Sequence, residues 1–387
     1  MLKYTALPGI FIFLFCTNTF YSKAENMEID FYGKILQFEI ATELPKIASG
    51  KISDAKVRNF TKELEKIPLS DLIISLDKYS KSLCLNDVGY YLMLYALAQK
   101  IYSKDANSSY GFIAYLLNKK GLDVIIGFTS SQLYLLSTTS RDLYETPYYQ
   151  VKNKTYSILY HEKFRRIPPL NFYFFKENNN TKMEMDISVA PCFPPDIKSR
   201  DYSFNYKNKA YSGKLKYNMN LVDFYNDYPR IIIKSKFDAP MDSISKASII
   251  ENFKAICDEM GEIETVNFLL ALMHQSFEYK LDQKHFKEER NLFAEEFLHY
   301  TYSDCEDRSI FFAHLVHYLT TYNIVGVEYK NHIAVAVAIN EKLNGTYYKL
   351  DKNKYYIADP SFIGGKFGDV MPEYKRQKSK FIKLDIN

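Results

Sequence analysis

The chain has 387 residues, of which 47% are hydrophobic and 25% charged. This is ordinary globular composition, which excludes a disordered chain and suggests two or three domains. The formal net charge of +4 is too small to imply a nucleic-acid partner.

The N-terminus reads "MLKYTALPGIFIFLFCTNTFYSKAEN". Lys3 precedes an apolar run from Ala6 to Phe15, and small residues, Ser22 and Ala24, stand three and one positions before a cleavage point. That is the layout of a secretory signal peptide over residues 1–24. It predicts export to a periplasm, cell envelope or extracellular space. Cleavage is preferred to an uncleaved anchor because the run is short for a membrane span. A lipid anchor on Cys16 is disfavoured by bulky Phe15. No later segment has about 18 uninterrupted apolar residues, so no stable span is expected after cleavage. Cleavage would leave Cys84, Cys192, Cys257 and Cys305. They are widely spread with no CxxC pair, which argues against zinc. If Cys305 stays a free thiol, at most one bridge forms among Cys84, Cys192 and Cys257, and the sequence does not choose it.

Residues 53–66 and 70–83 show apolar residues at helical spacing, with Pro68 between them. "LNDVGYYLMLYALAQKIYS" predicts a helix capped by Asn86 or Asp87, and "SYGFIAYLLNKKG" one closed by Gly121. The period then changes to two, and "LDVIIGF" and "QLYLLST" predict short strands joined by "TSS". These make residues 25–142 an N-terminal α+β domain. From 143 to 240 the chain reads as a small β-rich domain or insert, with strand-like "KTYSILYH", "NFYFFKE", "MEMDISV", "DYSFNYKNKAYSGKLKYNMN" and "RIIIKSKF". "FDAPMDS" reads as the linker into a third domain, 241–387, which opens with helices over roughly 243–258 and 262–277. The overall expectation is an α+β fold.

The third domain carries the chemistry. In "YTYSDCEDRSIFFAHL" Asp304 predicts an N-cap and Cys305 sits in the first turn. Unpaired N–H groups and the helix dipole there favour a thiolate, while Glu306 and Asp307 oppose it; Arg308 is the candidate to offset them, and the sequence alone does not settle the thiol pKa. A thiol nucleophile needs a base, and His332 opens the second strand of the hairpin-like "NIVGVEYKNHIAVAVAI". A base needs an orienting group, and Asp359 ends the strand of "KYYIADPSFIGG", just before Pro360. His332 and Asp359 are expected side by side on adjacent antiparallel strands, with the helix aiming Cys305 at the histidine.

A Cys followed by an acid on a helix, a His at a strand start and an Asp before Pro resembles the transglutaminase-like superfamily, a branch of the papain-like fold. With "VNFLLALMHQSFEYKLD" upstream, the stretch over roughly 262–374 looks like bacterial transglutaminase-like cysteine peptidases. The resemblance implies that Cys305 is the nucleophile, His332 the general base and acid, and Asp359 the orienting carboxylate. It implies attack on a peptide or protein amide and a thioester intermediate, resolved by water in a protease or by an amine in a transglutaminase, with the protease preferred. It implies no cofactor and no metal. The oxyanion would meet the Cys305 N–H and one further donor, for which Gln275 and Tyr302 are the candidates.

Several features weigh less. "SYGFIAYLLNKKGLDVIIGFTSSQLYLLST" can be laid beside "SIFFAHLVHYLTTYNIVGVEYKNHIAVAVA", with Gln132 in the second strand where the later stretch has His332. That suggests a silent copy of the catalytic unit, although any helix–strand–strand segment would align so, and chance is slightly favoured. His299, His314 and His317 lack a carboxylate at ligand spacing and read as packed or solvated. Asn59, Asn107, Asn153, Asn179 and Asn344 sit in N-x-[ST] sequons, which matter only if the host glycosylates. The alternative to an enzyme is a catalytically inactive binding or envelope-assembly protein that keeps the fold.

Overall fold

The structure is a computed structural model and describes residues 24–159, 169–177, 179–350 and 352–386. The expected export signal therefore lies outside the described residues, apart from Ala24, which opens the first strand. No helix among the described residues is long and apolar enough to cross a membrane.

The fold is mixed α+β. The first half begins with a hairpin, β1 (Ala24–Phe31) and β2 (Lys34–Ala41), closed by Tyr32 and Gly33 with φ of 50° and 79°. Two consecutive left-handed residues are what a tight two-residue hairpin demands. Helices α1 (Asp54–Leu64), α2 (Ser70–Ser82), α3 (Asp87–Tyr102) and α4 (Ala106–Lys119) follow. Ser53, Asn86 and Asp105 cap α1, α3 and α4 by accepting from backbone N–H groups three residues on. Strands β3 (Val124–Phe128), β4 (Leu133–Ser137), β5 (Tyr148–Val151), β6 (Lys154–Ile158) and β7 (Asn171–Tyr173) form one sheet in the order β5-β6-β4-β3-β7.

The second half opens with another tight hairpin, β8 (Ile197–Tyr206) and β9 (Lys209–Asn218), turning at Lys207 and Asn208 with φ of 46° and 63°. Helices α5 (Met219–Asp227), α6 (Ile233–Asp238), α7 (Ser243–Asp258) and α8 (Glu262–Ser276) come next. An insertion then holds β10 (Glu278–Tyr279), α9 (Asp282–His285), α10 (Ala294–His299) and β11 (Tyr302–Ser303). It leads into α11 (Cys305–Leu319), followed by β12 (Ile324–Tyr329), β13 (His332–Ala338), β14 (Tyr347–Leu350), β15 (Asn353–Ala358) and β16 (Lys380–Lys383). These five strands form a sheet in the order β14-β15-β13-β12-β16.

The two five-stranded sheets have the same topology, strand for strand. In each, a buried helix precedes the sheet and packs on its central strand: α4 on β4 and α11 on β13. The hairpins match in register. Thr129 N–H donates to Gln132 O across a two-residue turn, and Tyr329 pairs with His332 across another. Leu133 and Leu135 face the first core, as Ile333 and Val335 face the second. Asp105 caps α4 as Asp304 caps α11. The likeness read in the sequence is therefore a repeat of architecture. Ala106 stands where Cys305 stands, and Gln132 where His332 stands. The position matching Asp359 is 160, outside the described residues.

The stretch 143–240 is divided rather than forming a β domain of its own. Strands β5, β6 and β7 complete the first sheet, whereas the β8–β9 hairpin lies on α7 and α8. Ser276 Oγ accepts from Ser203 N–H at 3.2 Å, and Ser248 Oγ from Lys216 N–H at 2.9 Å. The unit carrying Cys305 thus reaches back before residue 241. "RIIIKSKF" is not a strand: α6 occupies its end because Ser235, Lys236 and Phe237 bury against α11. "MEMDISV" makes only an isolated bridge, Thr139 with Met183. Period-two patterning marks burial on one side, and an irregular buried segment meets it as well as a strand does.

Each half has its own core, and aromatic residues join them. Phe224, Tyr225, Tyr228 and Phe293 belong to the first core although they lie in the second half of the chain. Tyr225 stacks on Phe293 with centroids 4.0 Å apart. Beside this seam is a cavity of about 440 Å³ lined by residues of both halves, among them Tyr144, Ile158, Arg230, Lys236, Glu289 and Arg290.

Candidate active site

Cys305 is the first residue of α11 and is buried. Asp304 caps the helix by accepting from Glu306 N–H at 3.2 Å, and Asp307 accepts in return from Asp304 N–H at 3.2 Å, a reciprocal capping box. Asp307 also accepts from Leu292 N–H at 2.7 Å, which ties the insertion to the helix start. Its carboxyl is fully buried and its pKa is pushed well up, first by burial and then by Asp282.

His332 and Asp359 meet as expected. His332 opens β13, β13 pairs with β15, and Asp359 follows the end of β15. The ring Nε2 lies 2.7 Å from Asp359 Oδ2, and both side chains are buried. Asp359 Oδ1 accepts from Ser361 N–H at 2.9 Å, so both carboxylate oxygens are engaged. Tyr374 stacks on the imidazole with centroids 4.8 Å apart and planes 13° off parallel. The backbone oxygen of Asp359 lies 3.2 Å from His274 Nε2. The histidine is thus fixed by a carboxylate in its plane and a ring on its face.

The thiol is held differently from the expectation. Cys305 Sγ donates to Glu306 Oε2 at 2.8 Å, and among the described residues no hydrogen bond joins it to His332. Burial pushes the thiol pKa far up, Glu306 and Asp304 push it further, and the backbone N–H of Ile333 pulls it down. Ser309 Oγ, one turn further along α11, donates to Ile333 O at 3.0 Å, which ties the start of the helix to the residue that follows His332 in the strand. The helix start does not win: a helix dipole supplies only about 0.3–1 kcal/mol, less than the burial that heads the causes raising the thiol pKa. The thiol is neutral in this arrangement.

Acids crowd the sulfur. Ligand atoms of Asp304, Cys305 and Glu306 lie within 4.8 Å of one another, as do those of Asp282, Glu289 and Asp304. Burial and acidic neighbours push Asp304 up to about 10, and burial pushes Asp282 up to about 6. Like charges at this spacing cannot all ionise, so protons remain.

Arg308 does not offset these acids. Its guanidinium is fully buried and donates to Pro360 O at 2.9 Å, Phe277 O at 3.0 Å and Met273 O. It clamps α11 to the end of α8 and to the loop after Asp359. Gln275 is spent elsewhere: its Oε1 accepts from Asn205 N–H at 2.9 Å and its Nε2 donates to Asn205 O at 3.0 Å, on β8. Both ends of the Gln275 amide are thus engaged on β8. Tyr302 lies on β11, and Lys280 Nζ sits 4.1 Å from its ring centroid.

The other histidines take separate places. His299 Nδ1 lies 3.2 Å from Tyr217 OH. His314 is fully buried, stacks on Tyr318 and is pushed down to about 3 by burial. His317 is half-buried, and its pKa is also lowered by burial. Sequence reasoning missed Tyr374 and the thiol-binding role of Glu306. Glu306 adjoins Cys305 and the sequence places it as a charge opposing the thiolate, but adjacency in a first turn does not show that it accepts from the thiol. Nothing in the sequence around Tyr374 marks it.

Comparison with protein-family models, with curated proteins and with solved structures gives no significant match to this chain.

Proposed function

We propose that the chain is an exported cysteine hydrolase or acyltransferase of the transglutaminase-like type, acting on peptide or protein amides. The observation that carries the reading is the buried His332–Asp359 pair at 2.7 Å, with the helix that starts at Cys305 tied to the residue after His332 by Ser309 Oγ donating to Ile333 O at 3.0 Å. In this mechanism Asp359 holds Nε2, which leaves Nδ1 to take the thiol proton. The thiolate attacks the amide carbonyl, the Cys305 N–H stabilises the oxyanion, and His332 returns the proton to the leaving amine. Water resolves the thioester in the protease reading, which is preferred to transfer onto an amine. The Glu306 contact makes the resting form a closed one, in which the proton must leave the carboxylate's reach before the pair forms.

A second reading is a non-catalytic binding or assembly protein, favoured by the acid-held thiol and by the engagement of Gln275 with β8. Iodoacetamide alkylation against pH separates the two. The enzyme reading expects Glu306→Gln to expose a thiol that alkylates fast below pH 7, is lost in the double variant with Cys305→Ser and slows with His332→Ala. An E306Q thiol that behaves as an ordinary one, indifferent to His332, leaves the binding reading standing and removes the enzyme.

A further inference from the structure

Cys84 ends α2 in an unusual way. Cys84 N–H donates to Lys81 O and Leu85 N–H to Ser80 O, the two bonds of a Schellman closure. The closure puts Cys84 at φ 55°, in the left-handed region where glycine is the ordinary choice. A side chain there is strained, and this one is a thiol. Cys192 faces it. Cys192 N–H donates to Leu83 O at 2.9 Å, which fixes the two backbones side by side, and the Cys192 thiol, which donates to Ala190 O at 3.8 Å, lies close enough to Cys84 for that thiol to raise its pKa. Cys192 is exposed and Cys84 half-buried, so an oxidant can reach the pair.

We propose that Cys84 and Cys192 form a disulfide that pins the connection between the two halves of the molecule onto the α2–α3 junction. Cys192 lies in the irregular segment that leaves the first sheet and enters β8. Its neighbour Phe193 packs against Phe31, Tyr32 and Phe224, at the joint between the halves. The bridge therefore acts on how firmly that joint is held, and it is independent of the chemistry at Cys305. The oxidant is a small-molecule or protein disulfide. One cysteine, losing its proton, attacks it as the thiolate and forms a mixed disulfide, releasing a thiolate that takes that proton up. The second cysteine, losing its proton, displaces the other thiolate, which takes that proton up. Two protein thiols are oxidised and one disulfide is reduced to two thiols. Burial and its neighbour push the Cys192 thiol up to about 11, so the reaction should quicken as pH rises from 7 to 10.

The test is oxidation of the purified full chain with oxidised glutathione, followed by differential alkylation and non-reducing peptide mapping. The expected product is one cross-linked pair joining the peptides of Cys84 and Cys192, with Cys257 and Cys305 left alkylatable after unfolding. Reduction should lower the melting temperature by about 5–15 °C, because the bridge closes a long loop in the unfolded chain. Cys192→Ser alters an exposed side chain and keeps the fold. In it, Cys84 should hold glutathione as a stable mixed disulfide and the melting shift should vanish. The proposal is overturned if both thiols stay free through oxidation, or if the main bridge involves Cys257, Cys305 or a second molecule.

Discussion

Cys305 Sγ gives its hydrogen bond to Glu306 Oε2 at 2.8 Å, the side chain next along the same helix. A carboxylate that accepts from a thiol stabilises the protonated form and opposes thiolate formation. The Cys305 thiol is thereby held in its neutral form.

Glu306→Gln should raise the alkylation rate of Cys305 at pH 7 by roughly 10-fold or more, since one pKa unit of relief is tenfold in thiolate. The sign follows from the causes: burial stays, but a neighbouring negative charge that raises the thiol pKa is removed. Mass-spectrometric counting of labelled Cys305 against time checks it. An unchanged rate would mean that burial alone controls the thiol.

If the catalytic reading holds, Asp359→Asn should cut turnover of a susceptible peptide amide by roughly 10²–10⁴-fold, because the imidazole loses the partner that fixes its tautomer. Tyr374→Leu should cost much less, since it removes only a ring from the imidazole face. The measurement is kcat for each variant with the fold checked by circular dichroism. Equal losses for the two would argue that packing, not the Nε2 contact, organises His332.

Arg308 donates to three backbone carbonyls while fully buried. Arg308→Ala strands those acceptors and opens a cavity, and should destabilise by about 3–5 kcal/mol. Burial lowers the Arg308 pKa to about 10, which still leaves it charged at neutral pH. Urea unfolding gives the number. A loss under about 1 kcal/mol, the scale of an exposed pair, would mean water replaces the guanidinium easily.

Glu295 is buried, accepts from Asp242 N–H at 2.8 Å, and is pushed up to about 8 by burial and by Asp242. The folded state therefore holds a proton that the unfolded state releases near its ordinary pKa of 4.5. Between these values the folded state binds more protons, so stability is full below about 4.5 and falls as pH rises through about 8. Glu295→Gln should flatten that fall, by an amount on the order of a few kcal/mol at pH 8. Thermal melts from pH 5 to 9 read it directly. Parallel curves for the two proteins would remove Glu295 from the account.

The helices were legible because their caps and periods are local. Asn86 and Asp304 cap where the sequence places caps, and α2, α7 and α8 fall within a residue or two of their expected spans. The His332–Asp359 contact was also legible, since two adjacent antiparallel strands leave few places for their end residues. The segment at 230–237 misled because a short apolar run fits a buried helix as well as a strand. Residues 143–240 misled because strand pattern says nothing about which sheet a strand joins.

By itself the sequence determined the capped helices, the strand pairs that follow α4 and α11, the helix-start cysteine and the order Cys305, His332, Asp359. Each is set by short-range sterics and hydrogen bonding that a few neighbouring residues control. The tertiary structure decided the matching topology of the two sheets, the partner of the thiol, the diversion of Arg308 and Gln275, and the meeting of Cys84 with Cys192. These depend on burial and on contacts between segments far apart in the chain, where desolvation outweighs the local helix field, and no local pattern encodes them.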